Sequence, residues 1–115
     1  MATMNRFEDI IAWQKSKDLA VVLYKTFDTT RDQGFRNQIQ RAAVSISNNI
    51  AEGFERQTNK EFKNFLYIAK GSAGEVRSML SIARELTYIT AEQYEDYSFK
   101  TIEISKLLSG LIKTL

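Results

Sequence analysis

Apolar positions recur along this chain in alternating steps of three and four, the spacing that lines one side of an α-helix. Four such stripes follow one another. The first takes in Ala12, Ser16, Leu19, Leu23 and Phe27. Asn5 and Glu8 ahead of it stand at the N-cap and N3 spacing of a capping box, so a helix is expected from about Asn5 to Phe27. The polar run Asp28 to Gly34 breaks the rhythm. Asp32 is the expected N-cap of the second helix, whose stripe is Phe35, Ile39, Ala42, Ile46, Ile50 and Gly53, ending in a turn around Gln57. Thr58 and Glu61 repeat the capping-box spacing and open the longest stripe: Phe62, Leu66, Ala69, Ala73, Val76, Leu80 and Ala83. From Thr58 to Thr87 this predicts a helix of about 30 residues, or ~45 Å at 1.5 Å per residue. Thr90 and Gln93 cap a fourth helix carrying Tyr94, Tyr97, Thr101, Ile104, Leu108, Leu111 and Leu115. Four amphipathic helices joined by short polar turns predict an all-α fold, an antiparallel up-down-up-down four-helix bundle forming one domain over residues 1–115.

The third helix exceeds what one core requires. Phe65, Ile68, Met79, Ile82 and Leu86 lie beside its stripe, so it is expected to be buried on two sides. The second face either broadens the core of one protomer or packs against another copy of the chain, and self-association is the expected outcome. Gly71-Ser72-Ala73-Gly74 sits mid-helix, where each glycine costs roughly 0.8–1 kcal/mol relative to alanine. Small side chains there are expected to admit the backbone of the second helix near Arg41, with Arg41 and Glu75 forming an ion pair that sets register. On the second helix, Ser45, Ser47, Asn48, Asn49 and Glu52 gather polar groups where asparagine is a poor helix former. They read as a polar layer pinning helix alignment, or as a ligand pocket around Asn49 and Glu52.

Charge placement changes the picture more than composition does. The 115 residues include no cysteine, histidine or proline, and 16 basic against 14 acidic side chains leave a formal charge of +2. Without cysteine or histidine the usual thiolate and imidazole metal sites are excluded, and so is the side chain best suited to acid–base work near neutrality. No cofactor, metal site or catalytic residue is expected. Met1 to Arg6 has no apolar core of the signal-peptide kind and no run of about 18 apolar residues occurs, so a cytoplasmic location without membrane contact is expected. Within this balance, Lys63, Lys70, Arg77 and Arg84 recur every seventh residue and form one edge of the third helix, ~32 Å long. Such a row either tracks a nucleic-acid backbone or pairs with acids on a neighbouring helix, for which Glu92, Glu95, Asp96 and Glu103 are available.

The string Gln38 to Gly53 (QIQRAAVSISNNIAEG) resembles the signature of the bacterial four-helix bundle proteins, also called 23S rRNA-intervening sequence proteins. Phe7 to Lys15 (FEDIIAWQK) and Phe65 to Glu75 (FLYIAKGSAGE) are similar to further family segments, in the same order. Ser47 stands where the family often has proline, and Gln40 where it often has a second arginine; the second change removes a charge that helix two could offer to nucleic acid. The resemblance implies a left-handed bundle assembling into a ring, typically a homopentamer. Many members are encoded within intervening sequences of large-subunit ribosomal RNA genes. A related branch serves diversity-generating retroelements as a basic pentameric barrel that binds nucleic acid and a reverse transcriptase. The recurring family positions Arg41, Ser45, Asn49, Glu52 and Glu75 are all matched. The resemblance thus implies a homo-oligomer with RNA or DNA as partner, the alternative being a ring-shaped scaffold for a protein partner.

Overall fold

The computed structural model describes residues 4–115; the expected single domain also takes in residues 1–3, which lie outside the described residues. Among the described residues there are four α-helices and no strand: α1 Ile11–Phe27, α2 Gln33–Phe54, α3 Asn59–Glu85 and α4 Ala91–Lys113. All four stripes face inward. Leu19, Leu23, Phe27, Ile39, Ile46, Ile50, Leu66, Val76, Leu80, Ile104 and Leu108 are essentially inaccessible to water and build one continuous core. Its polar members are satisfied locally: the Ser16 hydroxyl donates to the Ala12 carbonyl at 2.6 Å and Thr101 to the Tyr97 carbonyl at 2.7 Å.

Helix α1 starts later than its pattern predicts. Asn5 and Glu8 form no capping box; Phe7–Asp9 is a 3-10 turn, and Ile10 is extended before the α-helix begins. Burial outweighs the cap here. Ile10 enters the core, Phe7 packs edge-on against Trp13 with centroids 5.1 Å apart, and Gln14 Nε2 donates to the Glu8 carbonyl at 2.8 Å. A continuous helix from Asn5 would give up this arrangement. The other three starts follow the pattern. Asp32 Oδ1 accepts from Phe35 N–H. Thr58 Oγ1 accepts from Glu61 N–H and donates to the Glu61 carboxylate, so that box is half made. Thr90 and Gln93 complete theirs in both directions.

Helix α1 packs on α2 and α4, and α3 packs on the same two, so α1 and α3 are diagonal. The turn after α1 meets the turn after α3, where Tyr88 OH donates to Asp32 Oδ2 at 2.8 Å. Met4, Phe54, Phe62 and Leu115 gather near the turn between α2 and α3. Neighbouring helices therefore run up and down in alternation, with 27-residue α3 spanning nearly the whole 42 Å long axis. Thr26 Oγ1 and Tyr97 OH share a hydrogen bond of 2.7 Å between α1 and α4.

Helix α3 ends in a Schellman-like turn, with Tyr88 N–H on the Ala83 carbonyl and Thr87 N–H on the Arg84 carbonyl. Thr87 adopts φ 58°, a left-handed conformation that β-branched residues rarely take. The reversal delivers the Tyr88 phenol to Asp32. Hydrogen bonds from Phe35 N–H, then from Tyr88, hold the Asp32 carboxyl below its ordinary value of 3.8. Its hydrogen bond with Asp32 raises Tyr88 above 10.0. A lowered carboxyl pKa contributes stability above the ordinary value and loses it as pH falls through the folded one; a raised phenol contributes below 10.0 and loses it as pH rises. The gap in melting temperature between wild type and Tyr88→Phe is therefore expected to be constant near neutrality and to narrow below pH 4 and above pH 10. A gap unchanged at both extremes would show that Asp32 and Tyr88 are not linked.

Within Gly71-Ser72-Ala73-Gly74 only the middle pair faces inward: Ser72 reaches Ser45 of α2 and Ala73 is buried, while the glycines admit no neighbour. A Cβ added at Gly71 or Gly74 would meet nothing within 4 Å. One added at Gly53 would lie 2.5 Å from Phe65 Cβ and 3.3 Å from the Phe62 carbonyl oxygen. Among the glycines, tight contact across α2 and α3 thus falls to Gly53 near their shared turn, whereas Gly71 and Gly74 lie exposed on the outer side of α3.

Candidate nucleic-acid interface

The 3.6-residue turn divides the surface of α3 into two flanks beside its buried stripe. Ser72 Oγ donates to Ser45 Oγ at 3.0 Å and Gln38 Nε2 to Glu75 Oε2 at 3.2 Å, so one flank faces α2. Lys63, Lys70, Arg77 and Arg84 occupy the other, which borders α4. Lys63 is half-buried and the other three are exposed. None of the four forms an ion pair among the described residues.

Helix α4 does not neutralise this row. Asp96 takes the Lys100 ammonium at 3.1 Å, and Glu103 turns to the far side, where Lys15 of α1 lies 3.4 Å away. Glu92 and Glu95 sit in the first turns of α4. In an antiparallel hairpin turning about Tyr88, residues equally far from the turn lie level. Glu92 is then level with Arg84, while exposed Lys106 and Lys113 are level with Lys70 and Lys63. The end of the α3–α4 face away from the turn is thereby uniformly basic.

An exposed aromatic stands in this basic half. Tyr67 follows Lys63 by four residues and precedes Lys70 by three, so the three side chains are neighbours on the helix surface. Its ring is 55% exposed and makes no hydrogen bond or ring contact among the described residues. Tyr67 belongs to none of the apolar stripes, so the helical periodicity does not mark it. The signal available was a tyrosine with lysines one turn to either side.

The recurring family positions, which include three of the polar groups of α2, separate into two groups. Ser45 and Asn49 are half-buried and act as one: Asn49 Nδ2 donates to the Ser45 carbonyl at 2.8 Å and to Ser45 Oγ at 2.9 Å, and Ser72 of α3 joins them. Arg41, Glu52 and Glu75 are exposed. The expected ion pair between Arg41 and Glu75 is not formed; Gln38, one turn before Arg41, takes the Glu75 carboxylate instead. No buried side-chain polar atom lacks a partner among the described residues. The open space on α2 lies nearer its start, in two shallow grooves of about 460 and 480 Å³ on either side of Arg41, and neither is lined by Asn49 or Glu52.

The apolar face of α3 is also smaller than expected. Met79 is only 6% exposed and belongs to the protomer's own core. Phe65 is half-buried against the Gly53 backbone, with the Arg56 guanidinium 4.9 Å from its ring centre. Ile68, Ile82 and Leu86 remain about half exposed. Among the described residues no group of three or more acidic side chains is placed to hold a metal ion, and no helix is long and apolar enough to cross a membrane.

Comparison with known proteins agrees with this architecture. A family model described as 23S rRNA-intervening sequence protein matches residues 8–110. A crystal structure of a protein with unknown function from the S23 ribosomal protein family of Bacteroides thetaiotaomicron is similar over 90% of this chain and 99% of that one, at 34% identity and a TM-score of 0.84. No curated protein matches.

Proposed function

The chain belongs to the 23S rRNA-intervening sequence protein family, and on that premise we propose that it is a non-enzymatic, cytoplasmic homo-oligomer, a ring of five as the resemblance implies, that associates with RNA or DNA as an accessory protein. The observation that carries this reading is the row Lys63, Lys70, Arg77 and Arg84, left without an ion pair among the described residues while Asp96 and Glu103 of α4 bind Lys100 and Lys15. Cations without protein partners beside a further pair of lysines form an electrostatic footprint for a polyanion. Binding of mixed short RNAs is expected to weaken steeply with salt, because each phosphate contact releases counterions. A protein indifferent to every nucleic acid at low salt would defeat this reading and leave a ring-shaped scaffold for a protein partner.

Self-association draws on a different surface. Ile68, Ile82 and Leu86 expose apolar area on the α2 side of α3, away from the basic row. Burying what remains exposed of these side chains against another copy contributes about 1 kcal/mol each. Introducing aspartate at all three is expected to reduce the assembly to monomers in light scattering while leaving helix content unchanged. A wild type that is monomeric at the outset would overturn the oligomer itself.

A further inference from the structure

We propose that the basic half of the α3–α4 face binds single-stranded rather than duplex nucleic acid, with the Tyr67 ring as the platform on which one base stacks. This rests on the nucleic-acid reading above and adds the form of the ligand and the residue that selects it. Duplexes and single strands present the same phosphates to lysine, so the row alone does not distinguish them. An aromatic ring does, because base faces are open in a single strand and closed in a stacked duplex.

Three features of the site converge on this. Tyr67 is exposed and uncommitted, although a tyrosine used for packing would cover its ring or satisfy its hydroxyl. Lys63 and Lys70 are its helical neighbours, and Lys106 and Lys113 stand level with them on α4, so phosphates on either side of a stacked base would meet ammonium groups. The helix surface following Tyr67 is bare. Gly71 lies one turn on and Gly74 two, and beyond the local helix backbone nothing comes within 4 Å of where a Cβ would stand at either. Two glycines inside a helix, unneeded for packing within the protomer, leave a flat shelf beside the ring on which a nucleotide can lie against the backbone.

The test compares Tyr67→Ala and Tyr67→Phe with the full-length wild type, using a 20-nucleotide unstructured RNA, the same strand as a duplex, and its DNA counterpart. Tyr67→Ala is expected to weaken single-strand binding about tenfold, in line with the loss of one stacked base, and to leave duplex binding and the salt slope unchanged. Tyr67→Phe is expected to bind single strands as wild type does. Equal loss on the RNA and DNA single strands supports stacking on any base; loss confined to RNA supports it with a further contact to the ribose. A second variant, Gly71→Gln with Gly74→Gln, is expected to fill the shelf and weaken single-strand binding without lowering the melting temperature. Should wild type bind both forms and Tyr67→Ala change neither, the platform is disproved while the electrostatic reading stands. Should wild type bind no nucleic acid, both fall together.

Discussion

Gly53→Ala is expected to lower the melting temperature by about 10 °C and Gly71→Ala to raise it by about 5 °C. The two substitutions make the same chemical change inside a helix, and alanine is favoured over glycine by about 0.8–1 kcal/mol in both places. What differs is the space. At Gly53 the new methyl carbon would stand 2.5 Å from Phe65 Cβ and 3.0 Å from Phe62 Cδ1, with the Phe62 carbonyl oxygen at 3.3 Å. A Cβ and a carbonyl oxygen belong to the body of α3 and cannot swing aside, so relief requires α2 and α3 to separate. Separation opens the contact between Phe54 and Phe62, whose rings meet edge-on at 5.9 Å. Overpacking costs about 1–3 kcal/mol, and a 2.5 Å approach to an immovable Cβ belongs at the upper end, which after the gain in helix propensity leaves a net loss of about 2 kcal/mol. Each kcal/mol moves the midpoint of a small domain by roughly 4–8 °C. At Gly71 no atom opposes the methyl group and only the propensity gain remains. Thermal denaturation of the two variants side by side decides the matter. A stable Gly53→Ala would mean that the helices do not touch there, and a destabilised Gly71→Ala would mean that something outside the protomer packs on the outer side of α3.

Gly53 also marks the limit of what the pattern of residues conveys. Its place in the α2 stripe was legible as helix and as core, because burial alternates with the helical repeat whatever the partner is. That the two helices meet there was not, since the stripe is silent on the depth at which facing helices interlock. The small run in mid-α3 reads as a groove for a neighbour, yet only Ser72 and Ala73 face inward, and Gly71 and Gly74 face outward. Caps were legible to the extent that they act alone. Asp32, Thr58 and Thr90 each serve one helix end, whereas Asn5 competes with burial of Ile10 and loses. Ion pairs between helices were the least legible feature. Arg41 and Glu75 line the same groove, as their spacing predicts, but Gln38 reaches the carboxylate, and a choice among side chains one turn apart depends on fractions of a turn that spacing does not carry. The basic row was evident from its seven-residue interval. Its freedom from partners depends on the folded geometry, in which Asp96 and Glu103 bind lysines elsewhere.

That freedom sets the size of the second effect. Reversing Lys63, Lys70, Arg77 and Arg84 together to glutamate is expected to abolish RNA binding at low salt. If each cation neutralises one phosphate of a single strand, the logarithm of the affinity falls with the logarithm of salt at a slope near −0.7 per contact, or roughly −3 for the row. Between 50 and 200 mM salt one protomer then loses about 50-fold in affinity, and a ring presenting several rows loses more. Neutralising one residue at a time, Lys70→Gln for instance, is expected to reduce the slope by about 0.7 and to weaken all sequences alike, since phosphate contacts carry no base information. The fourfold reversal exchanges attraction for repulsion at every point of the row, so no residual slope remains to be measured. Three of the four side chains are exposed and none has an ionic partner to lose among the described residues, so helix content and assembly should survive. The informative control is Lys17→Glu with Lys25→Glu on α1, the helix diagonal to α3. It shifts net charge in the same direction without touching the row. Retained binding in the control and lost binding in the row variant would assign the interaction to the geometry of α3. Comparable losses in both would reduce it to the attraction of any polyanion for a mildly basic protein.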